Sequence, residues 1–143
     1  MSVRSGDRTQ GRLQVLDLTF KLCMYTVKMC KNEKHFPKSQ RWLLTSRIVN
    51  EALDAMTCIR RANATLVDGP DLEIRHSYRS TQQTEAHGHL CALYSLIDIA
   101  YNLHEGLEAG SIRYWTEMIR DTDEKLKAWI RSDQKSYMDN RKA

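Results

Sequence analysis

The feature that most constrains this chain is how rarely it is punctuated. Its 143 residues include only six glycines and two prolines, at Gly6, Gly11, Pro37, Gly69, Pro70, Gly88, Gly106 and Gly110. Glycine frees the backbone and proline removes an N–H, so the two mark most turns and element ends. All but Gly88 fall in four places. The stretches between those places run for about 20 to 35 residues, too long for strands, and no Asn-Gly or similar hairpin signal breaks them. The chain is therefore expected to form a single domain, 1–143, of four helices at about 8–32, 37–65, 71–105 and 111–133 with frayed termini. Short connections force consecutive helices to run antiparallel, so the expected fold is all-α, an up-down-up-down four-helix bundle.

Apolar spacing supports each helix. In the first, Leu13, Leu16, Phe20, Cys23, Val27 and Cys30 step by 3, 4, 3, 4, 3, a heptad seam, and Asp7-Arg8-Thr9-Gln10 reads as a capping box that would start it. The second starts at Pro37, whose fixed φ suits a first helical position. It carries Leu44, Ile48, Ala52, Ala55, Ile59 and Ala62 on one face, widened by Leu43, Val49, Leu53 and Met56. Asp68-Gly69-Pro70-Asp71 reads as a turn with Asp71 as the cap of the third helix. That helix is polar from Arg79 to Glu85 and then rich in Leu90, Leu93, Leu96, Ile97, Ile99, Ala100 and Leu103. Gly88 within it implies a bend or a close approach of another backbone. Gly106 reads as a C-terminal cap and Ser111 as the cap of the fourth helix, whose seam is Ile112, Trp115, Ile119, Thr122, Leu126 and Trp129. The apolar surplus on the second and third helices belongs either to a thick core or to a subunit interface. The apolar fraction, 41%, lies below the roughly 45–50% of an average domain, which favours a slender molecule or one that needs partners.

No apolar run approaches the roughly 20 residues of a membrane span, and the first twenty residues hold no apolar signal core. A cytoplasmic location without membrane association is expected. Cys23, Cys30, Cys58 and Cys91 are then free thiols, mostly buried. Cys23 and Cys30 lie about 10.5 Å apart along a helix, too far for a disulfide or a shared metal. The chain shows no glycine-rich phosphate loop, GxSxG, HExxH or paired CxxC, and it lacks the Glu-x-x-His motifs on two helices that a di-iron bundle needs, Glu73 to His76 being a single instance. Glu85 and His87, like His87 and His89, lie two residues apart and so point to different helix faces. No catalytic residue, metal or cofactor is expected, and the protein reads as a non-enzyme.

Charge is the informative signal. Through Arg41 there are nine Lys and Arg against three acids, a balance of +6, whereas the remaining 102 residues hold 13 basic and 15 acidic side chains. The positive excess is thus concentrated in the first third, the footprint of a surface for polyanions. Lys21, Tyr25 and Lys28 share one helix face, and Lys31, Lys34, Lys38, Arg41 and Arg47 extend the positive character around the first turn. Such a stripe can follow a phosphate backbone, with Tyr25 offered for stacking on a base. The alternative is an ordinary solvated face, in which Arg47 pairs with Glu51 at i, i+4 and His104 answers a helix dipole.

One string within this region resembles a known family. His35-Phe36-Pro37-Lys38-Ser39-Gln40-Arg41-Trp42-Leu43-Leu44-Thr45-Ser46-Arg47-Ile48 is similar to the Phe-Pro-Lys, Arg, Leu, Arg-Ile pattern of a bacterial four-helix family. That family joins the 23S rRNA intervening-sequence proteins with the accessory variability determinants of diversity-generating retroelements. Residues 111–132, with Tyr114, Ile119, Asp123-Glu124, Leu126 and Ala128-Trp129-Ile130, resemble its closing helix, Ala128 standing where a glycine is common. The resemblance implies a homopentameric ring that binds a reverse transcriptase and contacts template RNA or cDNA through a basic surface, supporting mutagenic copying without catalysing it. Lys38, Arg41 and Arg47 fall in the matching motif as polar contacts, and Phe36 and Pro37 would fix how the chain enters the helix. The alternative within the family is an intervening-sequence-type oligomeric binding module without a polymerase. Arg79 to Glu85 and Gly88 depart from the pattern.

Overall fold

A computed structural model describes residues 5–142, with side chains from 11 to 141. Among the described residues the backbone forms four α-helices and no strand: α1 (Ser5–Lys31), α2 (Ser46–Ala64), α3 (Leu72–Leu103) and α4 (Ala109–Lys142). A 3₁₀ turn (Lys38–Gln40) and a π-helical turn (Arg41–Thr45) lead into α2. Each helix packs on two others, α1 and α3 both lying between α2 and α4. Contacts pair the end of one helix with the start of its neighbour. Tyr25 reaches Ser111 between α1 and α4, Arg79 reaches Thr65 just beyond α2, and His76 reaches Gln134 between α3 and α4. The helices are therefore antiparallel, as short connections require.

The α4 seam lies in the core as expected: Trp115, Ile119, Thr122, Leu126 and Trp129 are buried and Ile112 packs against them. In α2 the row from Leu44 to Ala62 is likewise buried, each large side chain contributing about 1.5–3 kcal/mol by leaving water. The widening of that face divides: Val49 and Met56 pack half-buried against the core, whereas Leu43 and Leu53 are exposed.

The α1 seam is corrected. The buried row is Val15, Thr19, Leu22, Thr26 and Met29, joined by Cys23 and Cys30, whereas Leu13 and Phe20 are 55% and 52% exposed. The helix is turned by one residue because its two threonines are satisfied inside. Thr19 Oγ1 donates to the Val15 carbonyl at 2.6 Å, and Trp115 Nε1 donates to Thr26 Oγ1 at 2.9 Å. Buried polar groups with partners cost little, so the row tolerates them.

Helix ends also differ from expectation. The α1 backbone is helical from Ser5, so the Asp7 box lies within the helix; its side chains are outside the described residues. Pro37, at φ −58° and ψ 151°, precedes the helical turns instead of opening α2, since its ring and missing N–H fit an extended lead-in. Asp71 precedes α3 but makes no side-chain cap, and Ser111 sits within the first turn of α4. His104, not Gly106, ends α3. Gly106 is required for another reason: a Cβ there would overlap the Lys34 carbonyl, where the α1–α2 connection crosses the α3–α4 connection. Gly88 meets no neighbouring backbone. Beyond residue 133, α4 continues to Lys142 instead of fraying, held by Tyr137, which is buried and stacks on the His76 ring at 4.0 Å.

Candidate partner-binding surface

The connection between α1 and α2 builds the basic region. Phe36 is buried, its ring meeting Trp115 edge-on at 6.2 Å and His104 at 5.8 Å, which pins the chain just before Pro37. The π-helical turn then keeps Leu44 inside while leaving Trp42 81% exposed and Leu43 outside. Short π turns of this kind recur at functional sites because they re-aim side chains without ending the helix.

Two concavities flank this connection. The larger, about 770 Å³, runs between α1 and α4 and is lined by Phe20, Met24, Tyr25, Val27, Tyr114 and Met118 with Lys21, Lys28 and Lys31 around it. The smaller, about 370 Å³, includes Lys31, Lys38 and Arg41 above Phe36 and Pro37. Lys31 belongs to both, so Lys21, Lys28, Lys31, Lys38 and Arg41 form one band. Lys34 lies in the connecting turn and Arg47 is exposed in the first turn of α2, outside both concavities.

The cations differ in their company. Lys21 pairs with Asp17 at 2.9 Å and Lys38 with Glu33 at 3.5 Å, all well exposed, and surface pairs of this kind contribute at most about 1 kcal/mol. Lys28, Lys31, Lys34, Arg41 and Arg47 form no ion pair among the described residues. Arg47 does not pair with Glu51, which instead bonds His89 Nδ1 at 2.6 Å. Lys28 and Lys31 occupy the last turn of α1, where they also complement the negative end of the helix dipole. Tyr25 is not a free platform: its hydroxyl donates to the Ser111 carbonyl at 3.2 Å, Tyr114 and Trp115 meet its ring edge-on at 4.9 and 5.9 Å, and burial raises its pKa. The most exposed aromatic of the basic region is Trp42. Sequence reading missed it, although its signal was present: it lies outside the row that runs from Leu44 to Ala62.

A second polar group was also missed. Arg79 holds Asp133 through Nε at 2.6 Å and Nη2 at 2.9 Å, Gln83 adds a bond at 2.8 Å, and the guanidinium lies 5.0 Å from the Trp129 ring centre. His76, Arg79, Gln83, Ala86, Leu90, Leu93, Ile97 and Ala100 are all buried and step by 3 and 4 without interruption. The polar stretch of the third helix is thus a continuation of its seam, and it locks α3 to α4.

The thiols divide three to one. Cys23, Cys30 and Cys58 are buried and Cys91 is exposed, all free. Burial pushes Cys23 up to about 11 and Cys30 up to about 12; burial, with the Glu85 carboxylate 3.9 Å from its sulfur, raises Cys58. Cys91 lies near His87, whose Nδ1 is 2.6 Å from Asp123 Oδ1. The sulfur is 3.6 Å from Nε2 and 4.0 Å from Nδ1. The backbone amides around it are spent within α3 and α4, which leaves no donor pair for an oxyanion. The trio ties α3 to α4. Among the described residues no three His, Cys, Asp or Glu side chains converge on a metal position, and no helix is long and apolar enough to cross a membrane.

Comparison of the chain with protein-family models, curated proteins and solved structures gives no match.

Proposed function

We propose that this protein is a non-enzymatic adaptor that binds single-stranded RNA or cDNA along Lys31, Lys34, Lys38, Arg41 and Arg47 around Trp42, and that it also binds a reverse transcriptase, in the manner of the accessory variability determinants it resembles. The observation that carries this reading is the exposure of the Trp42 indole next to Arg41 in the chain, in a region where Lys31, Lys34, Arg41 and Arg47 form no ion pair among the described residues and Lys38 has only an exposed one to Glu33. A phosphate chain pairs with such cations by releasing counterions, and a base stacks on such a ring whatever its identity. The chain works as a homopentameric ring. Leu13, Ile74, Ile99 and Leu103, exposed on the single copy, supply apolar surface for contacts between copies.

Fluorescence anisotropy with a labelled single-stranded RNA of random sequence tests the nucleic-acid half. Affinity should fall with log salt at a slope of about −0.7 per phosphate contacted, and Trp42→Ala should lose about 1–3 kcal/mol. Absence of binding at low salt, or binding indifferent to both changes, overturns it. Co-purification with a reverse transcriptase encoded beside this gene tests the partner half, and sedimentation tests the ring. RNA binding without polymerase association assigns the chain to the intervening-sequence type instead.

A further inference from the structure

The two concavities differ in chemistry. The smaller carries Lys31, Lys38 and Arg41, with Glu33 among them, and its cationic excess answers phosphates. The larger has an apolar floor, Phe20, Met24, Tyr25, Val27, Tyr114 and Met118, with Met24 60% and Tyr114 55% exposed. Phosphate and ribose gain nothing from such a floor, whereas apolar side chains of a protein do. Two of its lining residues are methionines, whose unbranched chains adapt to an incoming surface.

Shape and charge narrow the occupant. From Phe20 to Lys31 the groove follows α1 for about 16 Å, three helical turns, which suits anchors at i, i+3 or i+4, and i+7 of one amphipathic helix. Lys28 and Lys31 border it with no acidic partner among the described residues, and Lys21 borders it with only an exposed pair to Asp17. A helix whose apolar stripe is flanked by Asp and Glu complements both features. A basic flank would meet like charge on the same rim, which disfavours it.

We infer that the α1–α4 groove is the docking site for an acidic-flanked amphipathic helix of a protein partner. This rests on the adaptor reading for the existence of such a partner and divides the basic band between two ligands, the groove rim for protein and the Trp42 side for nucleic acid.

The test uses full-length protein labelled with ¹³C on its methionine methyl groups, titrated with a designed acidic amphipathic peptide of about 12 residues. Met24 and Met118 should shift saturably, while Met29, which is buried, and Met138, exposed on the far part of α4, should not. A scrambled peptide of the same composition and a basic-flanked version should each bind at least about tenfold more weakly. Phe20→Ser, at an exposed position that does not threaten the fold, and Lys28→Glu should each weaken the acidic peptide by about tenfold. No saturable shift at about 1 mM peptide overturns the inference. So does a shift of Met24 and Met118 with single-stranded RNA, which would make the groove a nucleic-acid contact. So, too, does their shift with protein concentration alone, which would make a second copy the occupant. Loss of RNA binding to the whole protein, with the peptide titration intact, would sink the nucleic-acid reading and leave this one standing.

Discussion

α1 and α4 carry apolar residues at the same 3, 4, 3, 4, 3 spacing, yet only α4 buries that row. In α4 the row contains both buried tryptophans, Trp115 and Trp129, and no competing face is as bulky. In α1 the neighbouring row, Val15, Thr19, Leu22, Thr26 and Met29, goes inside instead. The indole N–H of Trp115 needs an acceptor once buried, and Thr26 supplies it. Turning α1 to meet that need leaves Leu13, Phe20 and Met24 on the surface, Phe20 and Met24 lining the groove with its lysines. The contrast teaches that a hydrogen-bond requirement on one helix can set the rotation of another, and that the apolar row displaced by it becomes surface for a partner.

The sharpest way to break the comparison is at its buried side. Trp115→Ala should cost about 3–5 kcal/mol, and Asp133→Ala, which strands the buried Arg79, about 3–5 kcal/mol; urea denaturation measures both. Leu22→Ala should cost about 2–5 kcal/mol in the same assay, whereas Phe20→Ser on the displaced row should stay within about 0.5 kcal/mol. A larger loss at Phe20 than at Leu22 would mean that α1 is turned the other way. Thr26→Val isolates the proposed cause: it keeps the volume but leaves the Trp115 N–H without its acceptor, for about 1–3 kcal/mol.

The smallest expected effect is on pH dependence. Cys23 and Cys30 are held at about 11 and about 12 against an ordinary 9.0. Below the ordinary value both are protonated in the folded and unfolded chain alike. Between there and the raised values the unfolded chain releases protons that the folded chain keeps, so stability falls as pH rises through that window. Cys23→Ala combined with Cys30→Ala should flatten the decline relative to wild type in urea denaturation repeated across it. A decline identical in the double variant would place the titrating groups elsewhere.

Much of the fold was legible. The Gly and Pro positions set the number of helices, and the apolar rows of α2 and α4 named most of their buried residues. What escaped has one cause: rows that include satisfied polar residues do not look apolar. Thr19 and Thr26 hid the buried face of α1, and His76, Arg79 and Gln83 hid the first half of the α3 seam, although the 3 and 4 spacing ran through all of them. The same habit of reading cut α4 short at residue 133, since Tyr137 stacks on a histidine and lies outside any apolar pattern. In the candidate surface, the clustering of lysine and arginine was legible, but the division into an apolar groove and a basic, indole-bearing side was not. Tyr25 and Trp42 exchange roles because burial, which decides which ring is free, depends on Ser111, Tyr114 and Trp115 across the bundle.

By itself the sequence determined four helices, their antiparallel order and the concentration of positive charge in the first third, because punctuation, spacing and charge are local or additive properties of a chain. The tertiary structure alone decided the rotation of α1, the burial of the Arg79–Asp133 pair and the exposure of Trp42. Each depends on which donor finds which acceptor across helices far apart in sequence, and a spacing pattern on one helix carries no information about the partner it will meet.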